Sequence, residues 1–529
     1  MVRVVVIGAG HNGLVNACYL ALAGYEVTVF EKRKVVGGCC VTETDIFPGF
    51  KVSSASYVNS LFCNRIVEDL NLRAYGYKVL LRDPSSFTPL PGNENYLFLG
   101  RDLEFNQKEI AKFSVSDSQK YEAYEVALDE IAQFLEPTFS MTPPTLPPKT
   151  MPDLATSAFL IAKFISLGLS GSLRFLKLMS QDARLFLDSW FESDVLKATL
   201  LTDATIGAAP MDFSGYVLLH HVMGEAGGTR GVWGYQRGGM GAISNALAQA
   251  AKNLGVKICT DTPVKKILTN SVGVVYGVML QNGKKTYADC VVSNADPKVT
   301  FFKLLPGIPK LSHFYRKIAK LDFSSAVTKV NIALSGLPDF KCCPGIQLGP
   351  QHRGTIHISP SVEYIVNAAQ EGAHGVPSTK PTLEITIPSS VDDTLAPDGC
   401  HLMNVFIQYT PYHLAGGQVW TKEFKEAYFQ NNILGVMREY ISNIDDIILD
   451  YQILSPFDLE QKFSLTEGNI FHGAMRLSQL FSLRPLRGYA NYRTPIHGLY
   501  LCGAGTHPGG GVVGVNGLNA AREVIRDLS

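Results

Sequence analysis

Two glycine-rich runs and a few histidines are the residues of this chain whose types and spacing could do chemistry. Near the start stands Gly8-Ala9-Gly10-His11-Asn12-Gly13, and near the end Gly503-Ala504-Gly505-Thr506-His507-Pro508-Gly509-Gly510-Gly511-Val512. Each reads as a short apolar strand, a glycine turn and then a helix. That order turns backbone N–H groups and the positive end of a helix dipole toward a bound ligand. Two such cradles at opposite ends of one chain suggest a single long cofactor. His507 in the second run is an acid or base candidate, because imidazole is the side chain that changes charge nearest neutral pH. A structural hydrogen bond is the alternative use of the same ring. His472 in Gly468-Asn469-Ile470-Phe471-His472 invites the same two readings. The doublet His220-His221 tempts toward a metal, but no carboxylate or cysteine stands at a ligand spacing, and on a strand the two rings would face opposite sides. No metal site is expected.

The elements around these residues give the first cradle its context. Residues 2–7 are, apart from Arg3, an apolar β-branched run, as a central parallel strand requires. Residues 14–23 are helical in composition and stop at Gly24, a natural C′ residue. Residues 26–30 read as the next strand, and Glu31 follows, eighteen residues past Gly13. At that place a carboxylate accepts hydrogen bonds from the ribose hydroxyls of an adenosine. A lone glycine fingerprint is weak, but strand, helix, Gly24 and Glu31 in register make it specific. Glu31 fits NAD and FAD equally, since both carry that ribose. Further along, Gly238-Gly239-Met240-Gly241 precedes a helix over 242–253, and strands are expected at 256–259, 264–268, 272–280 and 286–292.

The expected fold is therefore α/β. A discontinuous Rossmann-like cofactor domain is built from 1–75, 225–300 and 485–529. A substrate domain of mixed sheet with a helical cap is built from 76–224 and 301–484. Its strands are expected at 327–334 and 402–409, with a helix at 422–441. At 529 residues the chain is long enough for two or three lobes. With 46% hydrophobic and 18% charged residues, none of these lobes is short of core. Lys plus Arg equals Asp plus Glu at 47 each, so no global field draws the chain to nucleic acid.

The ten cysteines are scattered, with Cys39-Cys40 and Cys342-Cys343 adjacent and no C-x-x-C, as in a reducing compartment. A redox role for Cys39-Cys40 competes with ordinary burial, and a vicinal disulfide is strained. The opening apolar run is shorter than a signal-peptide core, so a cytoplasmic chain is expected, or a mitochondrial one if the source is eukaryotic. Residues 157–179 carry twelve bulky apolar residues broken by Lys163, Arg174 and Lys177. They read either as a helix lying on a membrane surface or as a helix packed on the protein. Trp190 and Trp233 are pocket-lining or core aromatics.

A resemblance sharpens this reading. Gly8-x-Gly10-x-x-Gly13, Ala17, Leu20, Gly24, Val27, Val29, Glu31 and Gly37-Gly38 resemble the extended dinucleotide motif of the flavin amine oxidase superfamily. The stretch from Tyr492 to Gly511 resembles the C-terminal flavin motif of phytoene desaturases and carotenoid isomerases within it. The resemblance extends to Asp188-Ser189-Trp190-Phe191-Glu192-Ser193 and to the segment from Gly215 to Gly224. It implies FAD, held by Gly8, Gly10, His11, Asn12, Gly13, Glu31, Lys32, Gly37, Gly38, Gly503, Gly505, Gly510, Gly511 and Val512. It also implies that Val264 holds adenine through its backbone and that the His472 segment approaches the substrate. The helix expected after Gly509-Gly510-Gly511 would face the flavin. With no C-x-x-C, a disulfide reductase fed by bound NAD(P)H does not fit. The expected activity is hydride transfer from a hydrophobic, isoprenoid- or acyl-like substrate to flavin N5, with a quinone or dioxygen as acceptor. The lipophilic class is favoured because no buried charges for a small polar substrate are located. The alternative is an FAD-binding protein with a regulatory or partner-binding role. A homo-oligomer is compatible with either.

Overall fold

The computed structural model describes residues 1–92, 95–226, 229–305, 307–308 and 311–529, while the side chains of His221, Val222, Glu225, Ala226, Thr229 and Arg230 lie outside the description. Its first layer is a five-stranded parallel sheet in the order Leu499–Leu501, Cys290–Ser293, Arg3–Ile7, Glu26–Phe30, Lys257–Cys259. From Val4 to Ile7 this central strand is apolar on both faces because both faces are covered. Val4 and Val6 enter a core with Leu14, Val15, Ile243 and Leu518 from the helices His11–Leu22, Gly241–Asn253 and Val515–Leu528. Val5 and Ile7 enter another with Ile267, Val275 and Val278 from an antiparallel three-stranded sheet.

The second layer is a seven-stranded mixed sheet in the order Ile448–Leu454, Thr328–Leu334, His401–Gln408, Thr382–Thr386, Thr355–Ile358, Ser86–Pro89, Tyr96–Leu99. Every pairing is antiparallel except Thr355–Ile358 with Ser86–Pro89. One face buries Val330, Ile332, Val405, Ile407 and Ile385 beneath the helices Lys422–Tyr428 and Leu434–Tyr440. Residues two apart share a sheet face, so Lys329, Asn331, Asn404 and Phe406 occupy the other. A cap of helices, including Val115–Phe139, Ala183–Asp188, Asp194–Leu201 and Gly215–Val222, surrounds a third core. The pair Val79–Leu81 with Gly234–Gln236 ties a strand of the expected substrate lobe to one of the cofactor lobe.

Four local expectations are corrected. Residues 157–179 form parts of two helices, Met151–Ser166 and Gly168–Ser180, bent by 110° at Gly168, whose φ of +67° ends the first. Residues 422–441 are interrupted by a π-turn at Phe429–Ile433. Residues 286–292 divide into Lys285–Tyr287 and Cys290–Ser293, which belong to different sheets. Between them Asp289 accepts the Arg3 N–H at 2.9 Å and pins the crossing. His220 sits on a helix, not a strand.

Candidate active site

The first cradle forms where Arg3–Ile7 turns into His11–Leu22. A Cβ on Gly13 would run into the carbonyl oxygen of Gly8, so only glycine lets this helix start so close to the strand. A Cβ on Gly10 would stand 2.6 Å from Asn294 Nδ2. The helix has no side-chain cap and no acidic residue in its first turn, which leaves its leading N–H groups and dipole for an anion. Glu31 is buried at the end of the next strand. Its two oxygens accept the N–H groups of Ala9 (2.8 Å) and Arg33 (2.9 Å), and each keeps capacity for a ligand hydroxyl. Gly37 donates to Ala9 O at 2.8 Å and, at φ +116°, passes so near Cys40 O that no side chain fits.

These groups line one cavity of about 380 Å³. Gly8, Gly10, His11, Asn12, Glu31, Lys32, Gly37, Gly38 and Val264 are on its wall, joined from the far end of the chain by Gly510, Gly511, Val512 and His472. Gly13, Gly503 and Gly505 are not. Gly503 packs against the carbonyl of Asn294 and Gly505 against Pro297, so these glycines bring backbones together and do not face the cavity. Val512 holds φ +59°, unusual for a β-branched residue and a sign of local strain at the wall. The terminal helix begins only at Val515, so a short loop separates it from Gly511.

The two candidate histidines part company. His507 is 1% exposed and does not line the cavity. Its Nε2 bonds Thr138 O at 2.7 Å, burial pushes it down to about 4, and its carbonyl takes the Tyr492 hydroxyl at 2.9 Å. The ring is a tie between the C-terminal loop and the helical cap. His472 lines the cavity at φ +58°, and its Nδ1 has no hydrogen-bond partner. Burial lowers its pKa, with Asp296 opposing and Arg484 adding to the effect. Asn469 shapes this turn, its Oδ1 accepting the N–H groups of Phe471 and Gly473 at 3.0 Å each. His11 is pushed down to about 3 by burial and then by His472. His220 Nε2 lies 3.0 Å from Gly510 O and so braces the second cradle, whereas the His221 side chain falls outside the described residues. Among the described residues no cluster of His, Cys, Asp or Glu has metal-holding geometry. Cys39 and Cys40 are free thiols, each pushed up to about 12 by burial, so neither is a ready nucleophile.

Sequence reasoning missed three groups. Lys329 is 1% exposed on the cavity wall, with Nζ donating to Asn331 and Asn404 at 2.8 Å each. Burial holds its amine well below the usual lysine range, with Glu384 opposing. Asp296, fully buried, accepts from Val299 N–H at 2.8 Å and from Thr466 Oγ1 at 2.8 Å, joining the two lobes. Arg484 donates to the carbonyls of Phe471, Gly473, Gln479 and Ala504. Nothing in their immediate sequence marks these as interior charges. Of the tryptophans, Trp233 lines the cavity and Trp190 packs against Tyr124 and Phe186 in the cap.

A parallel Rossmann sheet with a glycine cradle, a buried ribose-accepting glutamate and a mixed sheet closing the far wall define an FAD-dependent oxidoreductase. Family models agree: residues 6–64 match the NAD(P)-binding Rossmann-like domain and residues 156–348 the flavin containing amine oxidoreductases. The chain is 43% identical to pyridine nucleotide-disulfide oxidoreductase domain-containing protein 2 of Rattus norvegicus, across 99% of this chain and 93% of that protein, and belongs to its family. It is 27% identical to a limonene dehydrogenase polypeptide of Castellaniella defragrans over 99% of this chain and 94% of that one. It is 25% identical to a phytoene desaturase of Fusarium fujikuroi over 96% and 86%. Among solved structures, an oxidoreductase from Methanosarcina mazei superposes with a TM-score of 0.63 at 18% identity, covering 99% of this chain and 100% of that one.

Proposed function

We propose that the chain is a dehydrogenase or oxidase that takes hydride from a hydrophobic, isoprenoid- or acyl-like substrate and passes the electrons to a quinone or dioxygen. The observation that carries this reading is the wall facing the cradle, where Ile206, Val327, Phe406, Leu459, Leu465, Ile470 and Phe471 meet. An apolar wall of this kind binds through area removed from water and gives a small ion little to hold. Two relatives whose names specify hydrocarbons, limonene and phytoene, support it.

Bound FAD supplies the hydride acceptor at N5. The chain's own residues do the rest. The N–H groups opening His11–Leu22 hold phosphate, Glu31 holds ribose hydroxyls and the Val264 backbone holds adenine. Phe406 and Phe471 press the substrate and exclude water. His472, neutral because it is buried, offers a hydrogen-bonding nitrogen at Nδ1. Lys329, its amine biased toward the neutral form, takes up at Nζ the proton that the substrate releases when it gives up hydride.

The test is the absorption spectrum of the purified protein, then anaerobic titration with isoprenoid, acyl and amine compounds. Bleaching by an isoprenoid or acyl compound, restored by a quinone analogue or oxygen, is the expected result. Bleaching by amines alone refutes the substrate class.

The helical pair Met151–Ser166 and Gly168–Ser180 supports a further reading, contact with a membrane surface. Ile161, Ile165, Leu169 and Leu173 are 57–79% exposed beside Lys163 and Lys177, the composition of an interfacial helix. No single helix among the described residues is long and apolar enough to cross a membrane.

A further inference from the structure

A second cavity, of about 400 Å³, lies between the helical cap and the mixed sheet. The helix Val115–Phe139 gives it one wall, where Tyr121, Tyr124, Glu125, Leu128 and Asp129 recur at the three- and four-residue spacing that aligns side chains along a helix. The sheet gives another, with His357 and Glu384 as register partners on neighbouring strands. Asp203 joins them from the turn Thr202–Ala204.

Among the described residues this lining carries four carboxyl groups, Glu125, Asp129, Asp203 and Glu384, against one guanidinium, Arg82. Glu125 is exposed, Asp129 and Asp203 are half-buried, and Glu384 is 6% exposed, so acidic groups run from the mouth of the cavity to its interior. Arg82 donates to Thr355 Oγ1 and lies over the rings of Trp233 (5.4 Å) and Tyr235 (5.8 Å). Its charge opposes the effect of burial on Asp203 and Glu384 without offsetting it. Glu384 has other support, since it accepts the Tyr57 hydroxyl at 2.8 Å and Lys329 acts on it as well. Asp203 has none of this. Among the described residues it makes no hydrogen bond or ion pair, and burial, then Glu384, push it up to about 7. It is close enough to Tyr121 and Tyr124 to add to the effect of burial on both phenols.

A second observation is independent of the acids. His357 is 7% exposed on the same lining and leaves Nδ1 without a partner. Burial and then Arg82 push it down to about 3, so the ring is neutral and keeps one acceptor nitrogen. An uncompensated interior carboxyl and an unused acceptor are both costly until a donor cation completes them. A metal ion does not fit that place, because among the described residues no group of three His, Cys, Asp or Glu could hold one. Aromatic rings beside the carboxyl suit an organic cation instead.

We propose that the second cavity is a binding site for an organic ammonium ion, with Asp203 as its counterion, the rings of Tyr121 and Tyr124 covering its apolar part and His357 accepting one of its N–H groups. The inference does not rest on the substrate assigned to the flavin cavity, whose lining includes none of Asp203, Glu384 and His357.

The experiment is anaerobic equilibrium dialysis of the FAD-loaded protein, buffered above the Asp203 pKa of about 7, with three molecules of one shape: phenethylammonium, 2-phenylethanol and phenylacetate. Phenethylammonium is expected to bind one per chain and at least tenfold tighter than either of the others. Asp203→Asn, which resembles the protonated carboxyl and so keeps the fold, is expected to remove that preference. Equal binding of 2-phenylethanol, or tighter binding of phenylacetate, overturns the proposal. So does an unchanged phenethylammonium affinity in Asp203→Asn, which would place the amine elsewhere, the flavin cavity included. The wild-type series decides the charge preference even if the variant does not fold.

Discussion

Replacing Arg484 by methionine tests whether one buried cation holds the far wall of the flavin cavity together. Burial pushes the guanidinium down to about 10, which leaves it cationic at neutral pH with all its N–H donors in place. Those donors reach four carbonyls, at distances between 2.6 Å (Phe471) and 3.2 Å (Gly473), with two bonds to Ala504. Methionine fills similar space and leaves the four carbonyls buried without donors. At about 1–3 kcal/mol for each unsatisfied group the loss is at least roughly 4 kcal/mol. Relief from burying the charge offsets some of this, and the net expectation is a destabilisation of about 3 kcal/mol. For a chain of 529 residues that lowers Tm by roughly 3 °C. Phe471, His472 and Ala504 all line the flavin cavity, so flavin should also leave at least tenfold faster on dialysis. Arg484→Lys, with three donors for four carbonyls, should fall between the two. Flavin fluorescence reads both quantities, as a melting curve and as a release rate. An Arg484→Met protein with wild-type melting and wild-type flavin retention would show that the loops at 471–479 and 504 are held by something else.

Three further outcomes follow from the same geometry. A methyl at Gly510 would overlap the Phe471 ring, so Gly510→Ala should cost about 1–3 kcal/mol by overpacking and weaken flavin binding measurably by titration. Acid should destabilise the fold. His11 and His357, pushed down to about 3, and His507, to about 4, contribute stability that is complete above about 6.5 and is lost as pH falls toward those values. Asp203, raised to about 7 by burial, works the other way, gaining stability as pH falls from 7, as do Glu384, Glu125 and Asp212, which burial also raises; His472, His352 and His401, which burial lowers, join the first three histidines and outweigh them. Urea midpoints measured from pH 7 to pH 4.5 should therefore decline, and less steeply in His507→Gln. Making Ile161, Ile165, Leu169 and Leu173 serine should leave the melting temperature nearly unchanged, since they are exposed, while cutting co-sedimentation with anionic liposomes at least tenfold. Phe164 is unsuitable for that test because it packs against Phe134 and Phe175, and unchanged sedimentation would remove the membrane reading.

What the sequence discloses here follows the range of the interactions concerned. The cradle was legible because Gly8, Gly10, Gly13, Gly24 and Glu31 belong to one continuous strand–helix–strand, where period and spacing fix geometry locally. The alternation of Val4 and Val6 against Val5 and Ile7 was equally readable, since a covered strand is apolar on both faces. His507 misled because its glycine-rich neighbours suggest a ligand, whereas its actual partner, Thr138, lies 369 positions away. The row of His357, Glu384, Phe406 and Lys329, set opposite one another by strand register, illustrates the same limit more sharply. Each of its residues sits in an ordinary strand, and only register across four strands makes them neighbours. A shift of one residue in any pairing would send that side chain to the opposite face, into the core with Val330 and Ile385. The buried charges that the sequence did not reveal therefore depend on the core pattern that it did. The apolar alternation of these strands buries one face, and by doing so it commits Lys329, Glu384 and His357 to the other, where Lys329 meets the flavin cavity.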